Sequence, residues 1–236
     1  VSDGVIGAFI CGTTGEGLSL TIEERKAVAE EWMKVAPPDF KVLVHVGHNS
    51  LASARDLANH AQSIGAWGIG SFSPFFFKVN SADLLAELCR EIAAAAPRLP
   101  FYYYHIPSLT GVHLPMRGFL QAAHGRIPTL AGIKYSHSDL MDLRLSREFS
   151  MNRYEVMFGS DEIFIAAMSL GVIAGVGSTY NYAAPLYYKV IESFEAGNQE
   201  EAHRYQFICM KMVEVLLRYG GGITFGKVAS KHLGVD

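Results

Sequence analysis

The sequence predicts an α/β fold in which parallel strands are joined by helices. Three observations predict it. Short β-branched or aromatic runs alternate with stretches of helical spacing along the chain. The runs are nearly continuously apolar, as strands covered on both faces are. The composition is 50% apolar and only 18% charged over 236 residues, enough for one large domain with a substantial core. Spacing alone leaves a doubly wound sheet and a closed barrel both open.

Seven strand candidates follow in order: Val5–Cys11, Lys41–Val46, Trp67–Phe72, Pro100–Tyr104, Leu130–Tyr135, Tyr154–Phe158 and Val172–Val176, each bounded by Gly, Pro or polar clusters. Between the first two, Thr21–Val35 has helical spacing, with Val28, Trp32 and Val35 at intervals of four and three. Its start, Thr21-Ile22-Glu23-Glu24, fits a capping box, the Thr21 hydroxyl accepting from the third helical amide while Glu24 reaches back. Ser81–Ala96 is a second helix of this kind. The repeating order points to right-handed crossovers between parallel strands. After the last strand–helix unit, Gln199–Tyr219 and Thr224–Leu233 read as a helical C-terminal extension with no strand between them.

Charge and cysteine use narrow the function. Lys plus Arg number 20 against 23 Asp plus Glu, with no run of like charge, so no nucleic-acid partner is expected. Cys11, Cys89 and Cys209 lie too far apart for a Cys-x-x-Cys motif, and reduced cytosolic thiols are expected. No apolar stretch reaches the ~20 residues a membrane-spanning helix needs. Val1-Ser2-Asp3-Gly4 has no basic region leading into an apolar segment, so no signal peptide is expected, and the missing initiator Met fits a piece of a longer protein.

Several strand ends carry residues capable of chemistry. Gly12-Thr13-Thr14-Gly15-Glu16-Gly17 lies between the first strand and the capped helix. Its amides and two hydroxyls suit a carboxylate, although glycines also serve a tight turn that needs positive φ. It lacks both the Gly-x-Gly-x-x-Gly order and the Lys-Ser/Thr ending of phosphate loops. Lys134 closes the apolar run Leu130-Ala131-Gly132-Ile133. A lysine there ordinarily reaches to solvent. In a desolvated place its neutral amine is favoured, and that form attacks a ketone to give a Schiff base.

Tyr104 ends Phe101-Tyr102-Tyr103-Tyr104. Alternation along a strand puts Tyr102 and Tyr104 on one face and Tyr103 on the other. Most buried tyrosines only pack, but a phenol at a strand end near an amine can relay protons. Gly159-Ser160-Asp161-Glu162 follows another strand, where two carboxylates commonly complement a helix dipole. Gly175-Val176-Gly177-Ser178-Thr179-Tyr180 is a further polar loop. His45 and His48 have a spacing that suggests metal, but the intervening Gly47 and the strand context spoil a ligand pair and no third ligand stands out, so no metal is expected.

Taken together, these segments resemble the dihydrodipicolinate synthase and N-acetylneuraminate lyase superfamily, and within it the lyase branch. Gly12-Thr13-Thr14-Gly15-Glu16 is similar to the family's pyruvate-carboxylate loop, Tyr104-His105-Ile106-Pro107 to its tyrosine motif, and Gly132-Ile133-Lys134-Tyr135-Ser136 to its Schiff-base motif. Order and spacing agree over essentially the whole chain. The resemblance implies a (β/α)8 TIM barrel with a C-terminal helical extension, usually assembled as a homotetramer, with its site at the carboxyl ends of the strands.

Carried over by position, the resemblance implies that Lys134 forms the imine with pyruvate or the open-chain keto acid and that Tyr104 moves the proton during carbon–carbon cleavage. Thr13 and Thr14 would hold the carboxylate and Ser136 would orient the reacting end. Gly159, Asp161, Glu162 and Ser178 would bind a polyhydroxylated tail. The implied reaction is reversible cleavage of N-acetylneuraminate to N-acetylmannosamine and pyruvate, without metal or organic cofactor, in the cytoplasm. Dihydrodipicolinate synthases carry an arginine five positions after the tyrosine, where this chain has Leu109, which argues against that activity. The rivals are an aldolase for a 2-keto-3-deoxy sugar acid, a non-catalytic sugar-acid-binding protein and a metal-dependent aldolase.

Two departures from the family pattern stand out. A bacterial-type relay tyrosine is replaced in Pro74-Phe75-Phe76, as in animal-type lyases, so no phenol relay can pass through residue 76. The chain also starts near what would be the second barrel strand. Residues 1–198 are therefore expected to form a barrel lacking its first strand–helix unit, and residues 199–236 a shortened helical extension, the whole less stable and less soluble than a closed barrel.

Overall fold

The computed structural model describes residues 3–150 and 153–235. Val1, Ser2 and Asp236, on which the readings of the two ends turned, lie outside them. The packing divides the chain into two compact units, one running Gly7–Met157 and the other holding the chain from Phe158 onward with the segment up to Ile6.

In the larger unit, strands alternate with helices as the spacing predicts. The strands are β1 (Gly7–Ile10), β2 (Lys41–His45), β3 (Gly68–Ser71), β4 (Phe101–His105), β5 (Leu130–Tyr135) and β6 (Glu155–Phe158, whose last residue begins the second unit). The intervening helices are α1 (Ile22–Val35), α2 (Leu51–Ser63), α3 (Ala82–Ala93), α4 (Pro107–Thr110), α5 (Met116–Ala123) and α6 (Leu140–Ser150). The strands lie side by side in chain order, and the ladders from β1 to β5 are parallel.

Local chemistry starts the helices. Thr21 accepts from the Glu24 amide while Glu24 accepts from the Thr21 amide, the capping box expected at α1. Ser50 and Ser81 cap α2 and α3 through the amides of Ser53 and Leu84. At α5 the cap comes from far along the chain, the Asp142 carboxylate accepting from the Met116 amide at 2.9 Å.

The central strands are buried throughout, β3 and β4 without exception. The three tyrosines of β4 alternate as expected. The Tyr102 hydroxyl donates to Glu155 at 2.7 Å, the Tyr103 ring packs on Phe119 of α5 at 4.6 Å, and Tyr104 returns to the face of Tyr102. The strand expected at Val5–Cys11 is shorter because Cys11 has φ +54°, which takes it out of extended backbone.

Gly132 of β5 lies close against the backbone of β6. A Cβ there would lie well inside van der Waals contact of the Glu155 carbonyl oxygen, a backbone atom that cannot step aside. Gly132→Ala should therefore cost about 1–3 kcal/mol, or roughly 2–12 °C in a thermal melt of a chain this size. An unchanged melting curve would mean that the two strands have slack.

The second unit contains β7 (Ala174–Gly175) and the helices α7 (Phe164–Ser169), α8 (Tyr180–Glu195), α9 (Gln199–Arg218) and α10 (Gly221–His232). β7 is only two residues long, where Val172–Val176 was expected. The Val172 amide is spent closing α7 on the Ala167 carbonyl, while the Val176 amide reaches the Phe158 carbonyl at 2.8 Å. Pro185 has no amide to donate, and α8 kinks two residues earlier, at Ala183. Tyr187 and Val190 of α8 pack on Cys209 of α9 as the core of this unit. The helices α9 and α10 fall where the extension was expected, with no strand between them.

Candidate active site

The β4–β5 ladder builds the centre of the larger unit's polar site. Tyr104 stands opposite Lys134 in register, and parallel neighbours in register present their side chains to the same face. Both side chains are buried, with 3% and 8% of their surface exposed. The Lys134 Nζ lies 4.2 Å from the centroid of the Tyr104 ring and 4.2 Å from that of Phe9, on β1. Phe9 and Tyr104 meet edge to face at 5.4 Å, so the amine sits over two rings fixed against each other. A cation over such faces is attracted by ~0.5–2 kcal/mol, which holds the amine in place before any substrate arrives.

The turn after β1 supplies hydroxyls. The Thr13 hydroxyl pairs with the Tyr104 hydroxyl at 3.2 Å, and Thr13 and Thr14 are both exposed. The turn folds on itself through Glu16 amide to Thr13 carbonyl and Gly17 amide to Gly12 carbonyl bonds. Gly17 is required there, since a Cβ would collide with the Cys11 carbonyl. Half-buried Ser136 follows β5, and its amide donates to the His105 carbonyl at 2.8 Å, which extends the ladder one step past Tyr135. The structure thus brings Thr13, Tyr104 and Lys134 together, with Thr14 and Ser136 beside them in the chain. Phe76 stands apart. It is 74% exposed, its amide donates to Asn49, and its ring rests on Phe77.

Beneath this centre lie groups that sequence reasoning missed. His45, set aside as a metal ligand, is fully buried at the end of β2 and touches the Phe9, Phe72 and Tyr104 rings. Arg25 of α1 is 2% exposed and donates to the His45 and Gly47 carbonyls at 2.6 and 3.1 Å. Arg25 sits in a surface-like Glu-Glu-Arg-Lys run, so only its helical face, shared with buried Ala29, hinted at burial.

In the second unit, Asp161 and Glu162 open a 3-10 turn, Asp161–Ile163. Asp161 is 4% exposed, and its Oδ2 accepts from the Thr179 amide at 2.8 Å and the Thr179 hydroxyl at 2.6 Å. That hydroxyl also pairs with the Tyr187 hydroxyl at 2.7 Å. Gly177 lies against the same carboxylate, so closely that any Cβ would overlap it. Asp161 therefore holds the loop carrying half-buried Ser178. Buried Gln206 of α9, another group the sequence did not single out, donates to the Asp161 and Glu162 carbonyls at 3.1 Å each and accepts from the Ile165 amide. Half-buried Gly159 and Glu162 complete the set, the Glu162 carboxyl raised above its ordinary pKa chiefly by burial, with Asp161 adding to it.

The family model that matches, over residues 1–236, is the dihydrodipicolinate synthetase family. This chain belongs to that family. An N-acetylneuraminate lyase of Rattus norvegicus is 43% identical over 223 residues, 94% of this chain and 70% of that protein. The Homo sapiens N-acetylneuraminate lyase is 41% identical over the same shares. Among solved structures, the Proteus mirabilis N-acetylneuraminate lyase superposes with a TM-score of 0.96 at 39% identity, covering 100% of this chain and 79% of that one. The parallel strands and flanking helices of this family member are thus those of the (β/α)8-type fold that the motifs implied.

Proposed function

We propose that Lys134 is the Schiff-base nucleophile of a class I aldolase that reversibly cleaves N-acetylneuraminate to N-acetylmannosamine and pyruvate. One observation carries the reading: a buried amine fixed over two rings, with the phenol of the in-register Tyr104 tied to the Thr13 hydroxyl. Family membership and the lyase relatives support it.

In this reading the Lys134 ammonium releases a proton, its amine adds to the ketone carbon of the open-chain keto acid, and the adduct takes a proton back and expels water, leaving an iminium. Thr13 and Thr14 hold the carboxylate, and Ser136 orients the reacting end. Tyr104 takes the proton from the hydroxyl beside the bond to be cut. That bond breaks, the electron pair enters the iminium to give an enamine, and the sugar leaves as its aldehyde. The proton held by Tyr104 then returns to the enamine carbon, and water releases pyruvate and the Lys134 ammonium. No metal or organic cofactor takes part.

Gly159, Asp161, Glu162 and Ser178 are proposed to serve the polyhydroxylated tail, Asp161 by holding the Ser178 loop and Glu162 by accepting from sugar hydroxyls. A homotetramer in the cytoplasm completes the proposal. Among the described residues no helix is long and apolar enough to cross a membrane.

The test is to incubate the chain with pyruvate, reduce with borohydride and map the modified peptide by mass spectrometry. Label on Lys134, together with faster cleavage of N-acetylneuraminate than of a 2-keto-3-deoxy sugar acid lacking the acetamido group, supports the reading. Label on another lysine would overturn it.

Asp161→Asn separates the two ends of the substrate. Weakening a charge-assisted bond of this kind typically costs ~1.5–3 kcal/mol, roughly tenfold to a hundredfold. Cleavage efficiency on N-acetylneuraminate should fall by that factor while pyruvate trapping at Lys134 persists. Equal loss of both activities would make Asp161 a residue of general structure only.

A further inference from the structure

The turn that carries Thr13 and Thr14 begins with a strained residue. Cys11 has φ +54°, and the one other non-glycine with positive φ among the described residues is Glu16, at +49° in the same turn. A side chain in that region of backbone is strained and persists only where its surroundings impose it.

What faces the Cys11 carbonyl is His45. Its Nδ1 lies 3.0 Å from that oxygen, and because a carbonyl can only accept, Nδ1 must carry the ring proton. The ring is held neutral: burial, then the Arg25 guanidinium, then the Lys134 ammonium push its pKa well below the ordinary histidine range. The Nε2 consequently bears a lone pair, and it has no hydrogen-bond partner among the described residues.

Arg25 fixes the other side of the histidine. Its two donors grip the His45 and Gly47 carbonyls, and its own carbonyl receives the Cys11 thiol at 3.8 Å. Cys11, Arg25 and His45 thus lock the ends of β1 and β2 to α1. The imidazole also packs edge to face on Tyr104 at 5.9 Å. One neutral ring therefore touches both the turn bearing the hydroxyls and the phenol that Thr13 meets.

We infer that His45 is a positioning residue for the 2-oxo acid: its Nδ1–H holds the Cys11 carbonyl so that the strained turn presents Thr13 and Thr14 to the carboxylate. The inference rests on the ketone-binding reading of Lys134 proposed above. It explains a buried histidine that takes no part in proton transfer and whose donor goes to the turn.

Three substitutions separate the donor from the ring. In His45→Asn the amide nitrogen takes the place of Nδ1, in His45→Gln it takes the place of Nε2, and in His45→Phe the ring remains without a donor. The readout is the pyruvate concentration giving half-maximal borohydride labelling of Lys134, with a thermal melt of each protein.

Losing one such hydrogen bond should raise that concentration about tenfold in His45→Phe and His45→Gln, with labelling still complete at saturation. His45→Asn should stay within about threefold of the parent chain. Half-saturation unchanged in His45→Phe, or raised equally in the Asn and Gln proteins, would overturn the inference. If His45→Phe does not fold, the Asn and Gln pair decides by the same criterion. A parent chain that pyruvate does not label at all would instead overturn the Schiff-base reading, and this inference with it.

Discussion

In the Lys134→Ala protein, borohydride and pyruvate should leave the chain unlabelled, and turnover should fall on the order of 10^6-fold, the scale on which a covalent nucleophile acts. The expectation comes from the end of β5, where the amine is 8% exposed and lies over the Phe9 and Tyr104 rings. Methyl for aminobutyl removes the group proposed to become the electron sink, and without an imine no stabilised carbanion can form when the carbon–carbon bond breaks. Mass spectrometry of the reduced protein reads the first effect and steady-state kinetics the second. Residual turnover within a hundredfold of the parent chain would mean that the bond is broken without this amine.

The second large effect is expected at Tyr104. Phenylalanine keeps the ring that meets Phe9 at 5.4 Å and the Lys134 amine at 4.2 Å, and deletes only the hydroxyl paired with Thr13. Packing should survive. A positioned proton donor or acceptor contributes typically 10^2–10^4-fold, so kcat should drop by that factor in Tyr104→Phe while pyruvate still labels Lys134 under borohydride. Single-turnover cleavage measured beside trapping distinguishes the two steps. Undiminished kcat would move the proton transfer to another group, and loss of labelling together with kcat would assign the phenol to imine formation as well.

Much of the architecture is legible in the sequence because its causes are local. Apolar runs and helical spacing are set by near neighbours, and so are the Thr21–Glu24 capping box and the alternation of Tyr102, Tyr103 and Tyr104. The strand boundaries were less legible. The β-branched run places Val172 in a strand, whereas its amide closes α7 on the Ala167 carbonyl.

What the sequence determined by itself was the alternation of strands and helices, the caps, and the residue types standing at strand ends: a lysine after an apolar run, a tyrosine, a turn with two threonines. Only the tertiary structure decided which of these meet. The Tyr104–Lys134 register depends on how β4 slides against β5, where the pairing shifts between Phe101 and Tyr102. His45 reaches Cys11 across 34 positions and Gln206 reaches the Asp161 carbonyl across 45. Such contacts leave no period in the sequence. A buried donor takes whichever carbonyl the packing brings within about 3 Å, and leaving it unmet costs ~1–3 kcal/mol, so pairing is enforced only once the chain has closed around it. This is why Arg25, in a run of charges, shows little in its neighbours of the burial the fold gives it, with its donors on the His45 and Gly47 carbonyls beneath the site.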